Sequence, residues 1–281
     1  MLSEFKPFTI KLRSGLKTVQ KPMVMGILNT TSDSFFDGGK YHTTDLALRQ
    51  CEKMLLEGAE IIDIGGQSTR PGADLIDLET EISRTVPVVK AISERWPECI
   101  ISIDTFRAEV AKRCIDNGAQ IVNDVSAGDD DPNMLPLIAG SGVLYVAMHK
   151  KGIPKNMQDK PEYHHVVEEV KTYFTHKIAQ IEAMGHSHIV IDPGFGFGKT
   201  LKHNYELMNR LNELSVFEKP ILVGISRKSM IWKLLETNPE QALNGTSVLN
   251  TIALMNGAHI LRVHDVKEAS ECLKIMEALR H

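Results

Sequence analysis

The chain has 281 residues, 42% of them hydrophobic and 24% charged, with a formal net charge of −4. That length and composition exclude a disordered or collagen-like chain and allow one large α/β domain or two small ones. The negative balance disfavours a nucleic-acid or membrane-surface binder, and no apolar run approaches the ~18–20 residues of a bilayer span.

The first ten residues carry no basic-then-apolar leader pattern. The four cysteines, Cys51, Cys99, Cys114 and Cys272, form no CxxC pair. The expectation is a cytoplasmic protein with reduced, packed thiols.

Residues 1–20 read as an N-terminal lead-in able to form a hairpin that closes the bottom of the main domain. From there short, continuous apolar runs recur at residues 23–28, 61–64, 100–103, 121–125, 143–148, 189–191, 221–225 and 260–263. Continuous rather than alternating runs suit strands buried on both faces of a parallel sheet. Helix-like stretches separate most of them. Residues 43–57, 78–95, 165–184, 239–255 and 266–279 repeat apolar positions near a 3.6 period, and Pro87 predicts a kink or break in the second. A Gly-Ala pair precedes an apolar run at Gly58, Gly118 and Gly257, with a looser copy at Gly185. Gly there ends a helix in the left-handed position. A βα unit repeated eight times predicts a single-domain (β/α)8 TIM barrel over residues 21–281, with a doubly wound open sheet as the alternative.

Chemistry in such a barrel sits at the C-terminal ends of the strands. Those ends hold Asn29, Asp63, Asp104, Asn123 with Asp124, His149, Asp192, and Arg262 with His264. Buried Asp and Asn on the strands cost free energy unless paired with each other or with a ligand. Two readings stay open. Asp104, Asn123, Asp192 and Lys228 suit a flat nitrogen heterocycle with an amidine-like edge, with Phe197 and Met148 on its faces; or they form a salt-bridged polar barrel centre. Arg70, Lys199, Arg227, Lys228, Arg262 and His264 suggest a phosphate or pyrophosphate moiety. Arg262 and His264, two apart, would share a strand face. Asn29 suits a hard cation such as Mg²⁺, held mainly through substrate phosphates and water. The run Gly194 to Thr200 only imitates a P-loop, because three residues rather than four separate Gly194 from Gly198.

Five stretches in order resemble the signature segments of dihydropteroate synthase. They begin at Met25-Gly26-Ile27-Leu28-Asn29, Asp63-Ile64-Gly65-Gly66-Gln67, Asp192-Pro193-Gly194-Phe195-Gly196, Ser226-Arg227-Lys228-Ser229 and Arg262-Val263-His264-Asp265. The resemblance implies a (β/α)8 barrel that joins p-aminobenzoate to 6-hydroxymethyl-7,8-dihydropterin pyrophosphate in folate biosynthesis. It implies Asn29 at Mg²⁺, a pterin slot of Asp104, Asn123, Asp192 and Lys228, and phosphate contacts from Thr69, Arg262 and His264 with Arg70 nearby. It further implies two mobile loops that form the p-aminobenzoate pocket, which sulfonamides also occupy, and a homodimer. Ser32 stands where the family usually has Pro, Gln67 where it has Glu, and the loop His149-Lys150-Lys151-Gly152 is more basic than usual.

The implied chemistry is an SN1-like substitution, with Asp104 and Asp33 stabilising positive charge and pyrophosphate leaving once cations neutralise it. Three competitors remain: a pterin-dependent methyltransferase, a non-catalytic pterin-binding paralogue, and an aldolase using Lys228 as a Schiff base.

Overall fold

The computed structural model describes residues 5–12, 15–30, 40–67, 75–152 and 161–279. Phe8–Leu12 (β1) and Gly15–Val19 (β2) form an antiparallel hairpin, with Phe8 opposite Val19 and Leu12 opposite Gly15. Then strands and helices alternate: Met23–Asn29 (β3), Lys40–Leu56 (α1), Ile61–Gly65 (β4), Leu78–Arg95 (α2), Ile100–Asp104 (β5), Ala108–Asp116 (α3), Ile121–Asp124 (β6), Met134–Ser141 (α4), Leu144–Met148 (β7), Val166–Ala183 (α5), Ile189–Asp192 (β8), Leu201–Asn209 (α6), Leu222–Val223 (β9), Ser229–Trp232 (α7), Leu243–Met255 (α8), Ile260–Val263 (β10) and Val266–Ala278 (α9).

The eight strands β3 to β10 are parallel, in the order β8-β7-β6-β5-β4-β3-β10-β9. An isolated bridge between Ile191 and Ile221 joins the two ends, so the sheet closes into a barrel. The expected (β/α)8 architecture is present, and the open sheet is excluded. The ninth strand is shorter than its apolar run, two residues rather than five. The helix-like stretch at 239–255 divides into a 3-10 turn, Pro239–Gln241, and α8. Pro87 does not break α2, which runs unbroken from Leu78 to Arg95. Its buried face, with Ile82, Val88, Val89 and Ile92, packs on the sheet and outweighs one lost backbone hydrogen bond. Asp77 caps the helix, accepting from the Thr80 N–H at 2.8 Å.

Period-two alternation sorts the strand residues. Val24, Leu28, Ile62, Ile64, Ile101, Ile103 and Val122 point outward and join the helices in the larger core. Met23, Met25, Ile61, Ile100, Ile121, Leu144, Val146, Val190, Leu222 and Ile260 point inward and fill the lower barrel. Ile10 and Val19 of the hairpin are buried in this inner cluster. The hairpin therefore plugs the bottom. Each fully buried aliphatic side chain of this kind contributes about 1.5–3 kcal/mol. The four cysteines are free and buried. Among the described residues no helix is long and apolar enough to cross a membrane.

Candidate active site

The same alternation that fills the bottom with apolar side chains sets a polar layer at the top. Continuing by two from the inward residues reaches Asp63 on β4, Ser102 and Asp104 on β5, Asn123 on β6, Met148 on β7, Asp192 on β8 and Arg262 on β10. Strand register brings them level: Gly65 lies beside both Asn29 and Asp104, Asp104 beside Asn123, and Met148 beside Asp192.

Arg262 is the hub. Its Nε donates to Asp63 Oδ2 at 2.7 Å, and a terminal nitrogen donates to Asp104 Oδ2 at 2.6 Å. Asn123 Nδ2 donates to the same Asp63 oxygen at 3.1 Å. The salt-bridged polar centre therefore exists. It does not exhaust the acceptors, because Asp63 Oδ1 and Asp104 Oδ1 are buried without a partner among the described residues. Burial holds the Asp104 carboxyl at about 7, with Asp63 pushing it up and Arg262 opposing.

Lys228, just before α7, lies close enough to Asp192, Arg262 and Asp104 for their charges to act on it. Its Nζ donates to the Phe195 carbonyl at 2.6 Å and lies 4.7 Å from the Phe197 ring centroid. Burial lowers its pKa to about 8, against the pull of Asp192. Burial likewise raises Asp192, whose Oδ1 accepts from the Gly194 N–H at 2.7 Å. So Phe197 is placed under a cation at the slot's edge, with Met148 beside Asp192.

The loop after β8 explains its glycines. A Cβ on Gly194 would sit 1.9 Å from the His149 carbonyl oxygen, and one on Gly198 would sit 2.1 Å from that of Lys151. Both take positive φ. The glycines let this loop lie against the loop after β7. Lys199 closes the arrangement from beneath, donating to the Gly194 carbonyl at 2.9 Å and the Phe197 carbonyl at 3.2 Å, and bonding His149 Nδ1 at 2.9 Å. Lys199 is buried and burial lowers its pKa to about 7. It is a loop fastener, not part of an anion site as its charge suggested. Arg227 departs from expectation in the same way. It pairs with Asp265 at 2.9 and 2.8 Å and donates to the Pro239 and Glu240 carbonyls. Arg262 and His264 do not act as a joint pair here: Arg262 is turned down to its two acids, while His264, exposed beyond the strand, has Nδ1 3.1 Å from Ser226 Oγ. Asp124 faces outward and accepts from Ser126, Gly128 and Tyr145.

Asn29 ends β3 at the mouth. A Cβ on Gly65 would lie 3.7 Å from Asn29 Oδ1 and 3.8 Å from Asp104 Oδ2, so the missing side chain leaves both oxygens facing one space. Asp33, Thr69 and Arg70 lie outside the described residues, as does most of each loop expected to move.

Gln67 belongs to the base of the second of those loops. It is buried, and its Oε1 accepts from the Ile76 N–H at 2.8 Å. Arg107 also holds Ile76, through its carbonyl at 2.6 Å, and pairs with the fully buried Glu81. A glutamate would accept the Ile76 bond equally well. Chemical denaturation should therefore place Gln67→Glu within about 1 kcal/mol of wild type, whereas Gln67→Leu loses about 1–3 kcal/mol by stranding that N–H. Equal losses in the two variants would refute this role.

Sequence reasoning passed over Asp63 as a site residue, although its inward position follows from Ile61 two residues earlier. Glu81 was hidden inside a helix whose pattern reads as ordinary surface charge.

The comparisons with known proteins agree with this geometry. Residues 25–264 match the family model described as pterin binding enzyme. Dihydropteroate synthase of Escherichia coli K12 is 47% identical over 259 residues, covering 92% of this chain and 91% of its relative. The crystal structure of Yersinia pestis dihydropteroate synthase in a sulfonamide drug complex superimposes with a TM-score of 0.91 at 43% identity, covering 97% and 99% of the two chains. Xanthomonas albilineans dihydropteroate synthase with 4-aminobenzoic acid gives a TM-score of 0.91 at 36% identity, covering 98% and 99%. On the fold, the inward polar layer and these matches together, the chain belongs to the dihydropteroate synthases, transferases of folate biosynthesis within the pterin-binding enzyme family.

Proposed function

We propose that this chain condenses p-aminobenzoate with 6-hydroxymethyl-7,8-dihydropterin pyrophosphate, forming 7,8-dihydropteroate and pyrophosphate. One observation carries the reading: Asp192 and Asp104 both act on the Lys228 charge, Asn123 lies beside Asp104 in register, and Asp104 keeps an unpartnered oxygen. Carboxylate acceptors on one side and an ammonium donor on the other match a pterin edge with N–H donors and a ring acceptor. Phe197 and Met148 line its faces.

Binding places the pterin methylene over Asp104. As the C–O bond to pyrophosphate breaks, positive charge grows on the methylene and ring. The Asp104 carboxylate stabilises it, and Asp33 adds a second negative charge. The neutral arylamine nitrogen then forms the new C–N bond and releases its proton. Thr69, Arg70, Arg262 and His264 receive the pyrophosphate, with Arg262 leaving part of its present pairing to do so. Asn29, a neutral amide oxygen beside the Asp104 carboxylate, fits a Mg²⁺ ion held mainly by the pyrophosphate and water. When bound, Mg²⁺ neutralises leaving-group charge. The p-aminobenzoate pocket would also admit sulfonamides; the Yersinia relative's structure is of a sulfonamide drug complex.

Exposed Leu235, Val248, Met255, Ile275 and Leu279 on and around α8 and α9 support a homodimer.

Purified protein, both substrates and Mg²⁺ should yield dihydropteroate by mass spectrometry, with EDTA abolishing it. Absence of product despite pterin binding would favour the non-catalytic paralogue; failure to bind pterin would overturn the reading. The pH dependence of kcat/KM should be bell-shaped. Asp104 must be ionised, so activity falls as pH drops through about 7. Lys228 must be charged, so it falls again as pH rises through about 8. The two limbs belong to the coupled cluster rather than to single side chains. A flat profile across that range would contradict this assignment.

A further inference from the structure

Asp63 has no place in the chemistry above, yet it is fully buried on the inward face of β4, one layer below Asp104. Both its contacts run to groups that are in the slot. Its Oδ2 accepts from Asn123 Nδ2 at 3.1 Å and from Arg262 Nε at 2.7 Å. We propose that Asp63 is a specificity-determining positioning residue that fixes which end of the Asn123 amide meets the ligand.

Hydrogen-bond polarity is what Asp63 imposes, and the proposal rests on the pterin reading of the slot. An amide side chain has a donor end and an acceptor end of nearly equal shape. Nothing in the shape of Asn123 decides which end turns upward. A carboxylate only accepts. Paired to Arg262, Asp63 can satisfy Asn123 only through the NH2 group, and the Asn123 carbonyl oxygen is then turned away from it, toward the cavity. The slot thereby presents an acceptor from Asn123, and it favours a heterocycle edge carrying an N–H donor at that point. A flipped amide would put an N–H against that edge. Discrimination of this kind is strong because a mismatched buried polar group is left unpaired.

Asp63 also keeps Arg262 low in the barrel. The guanidinium spans Asp63 and Asp104, so Asp104 is held by one oxygen and offers the other. Without the Asp63 end, Arg262 would be free to cover Asp104 with both its terminal nitrogens.

Asp63→Asn tests this with little change of volume. The neutral amide at 63 holds the Asn123 NH2 more weakly than a carboxylate does, and its own NH2 can meet the Asn123 oxygen, so the orientation is no longer imposed. Calorimetric titrations would use two probes: 2-amino-4-oxopteridine, which carries the 2-amino donor, and 2,4-dioxopteridine, which carries a carbonyl there. Wild type is expected to prefer the 2-amino probe at least tenfold. Asp63→Asn should cut that preference at least fivefold, mostly by weakening the 2-amino probe, and raise KM for the pterin substrate more than KM for p-aminobenzoate. Ser102→Ala, the register neighbour of Asp63 in the same layer, should keep the wild-type preference. Circular dichroism and melting confirm that each variant is folded. If Asp63→Asn folds and keeps the preference within twofold, Asp63 is only a structural charge partner and the proposal is overturned. The same holds if Asp63→Asn and Ser102→Ala lose the preference equally. If Asp63→Asn does not fold, Asp63→Glu serves instead: retained preference supports a polarity role, and lost preference with intact folding overturns it. Wild type binding neither probe would reject the pterin reading itself, a separate outcome.

Discussion

Replacing Asp104 by Asn is expected to lower kcat by about 10²–10³-fold while leaving KM for p-aminobenzoate nearly unchanged. The size follows from removing one preorganised electrostatic partner of a developing charge, which typically costs that much. The amide keeps the volume and one acceptor, so the pterin still enters. What is lost is the negative charge under the methylene as pyrophosphate departs. The same substitution should make the protein more stable at alkaline pH. The folded-state pKa of Asp104 is raised to about 7 from an ordinary 3.8. As pH rises from about 4 to 7 the unfolded chain ionises this group while the fold resists, so stability is lost across that window and stays lost above it. Asn removes the penalty. Guanidinium denaturation of both proteins at both ends of that window checks the sign: the variant's advantage should grow with pH. A variant that is slower and also less stable at alkaline pH would mean that Asp104 acts chiefly as an anchor for Arg262.

That coupling of weak stability to strong function shows why some of the site was legible in the sequence and some was not. Asp104, Asn123, Asp192 and Lys228 could be found because each follows an apolar strand run, and a (β/α)8 barrel turns every such end toward one mouth. The barrel itself was legible from continuous apolar runs and from Gly58, Gly118 and Gly257 closing the units before them; all three take positive φ. Partnership was not legible. Arg227 and Arg262 look alike as basic residues after late strands. One lies past β9 and reaches sideways to Asp265, and the other lies within β10 and faces inward. A one-residue difference in strand parity separates them, and β9 is too short to show parity from its pattern. Lys199 misleads for a related reason. Its burial depends on the close approach of two loops, and that approach is set by Gly194 and Gly198 rather than by any charge pattern. Pro87 shows the opposite error, a strong local signal overridden by the packing of a long amphipathic helix.

Arg262→Met should be the most destabilising change in the site, and its cost should depend on pH. Arg262 is a single cation between two carboxylates at 2.7 and 2.6 Å, one of them fully buried. Removing one partner of a buried pair leaves an uncompensated charge, at about 3–5 kcal/mol. Here two acids lose their partner at once, with Asp63 and Asp104 each repelling the other. Burial and Asp63 already raise the Asp104 pKa, and losing the cation that opposes them raises it further. Acids with raised native pKa values penalise the fold above those values and not below the unfolded ones. The loss is therefore expected to be full at alkaline pH and to shrink as pH falls toward the ordinary carboxylate range, where the stranded Asp104 takes up its proton. Urea titrations of wild type and variant at both extremes measure it directly. A loss independent of pH would mean that the missing side chain matters through its packing. A small loss at alkaline pH would mean that Lys228 or water supplies the lost charge balance. Arg262→Lys sharpens the comparison: it keeps the charge but cannot span both acids with a planar fork. Recovery of most of the stability, with turnover still depressed, would separate the charge that Arg262 contributes to the fold from the geometry it contributes to the slot.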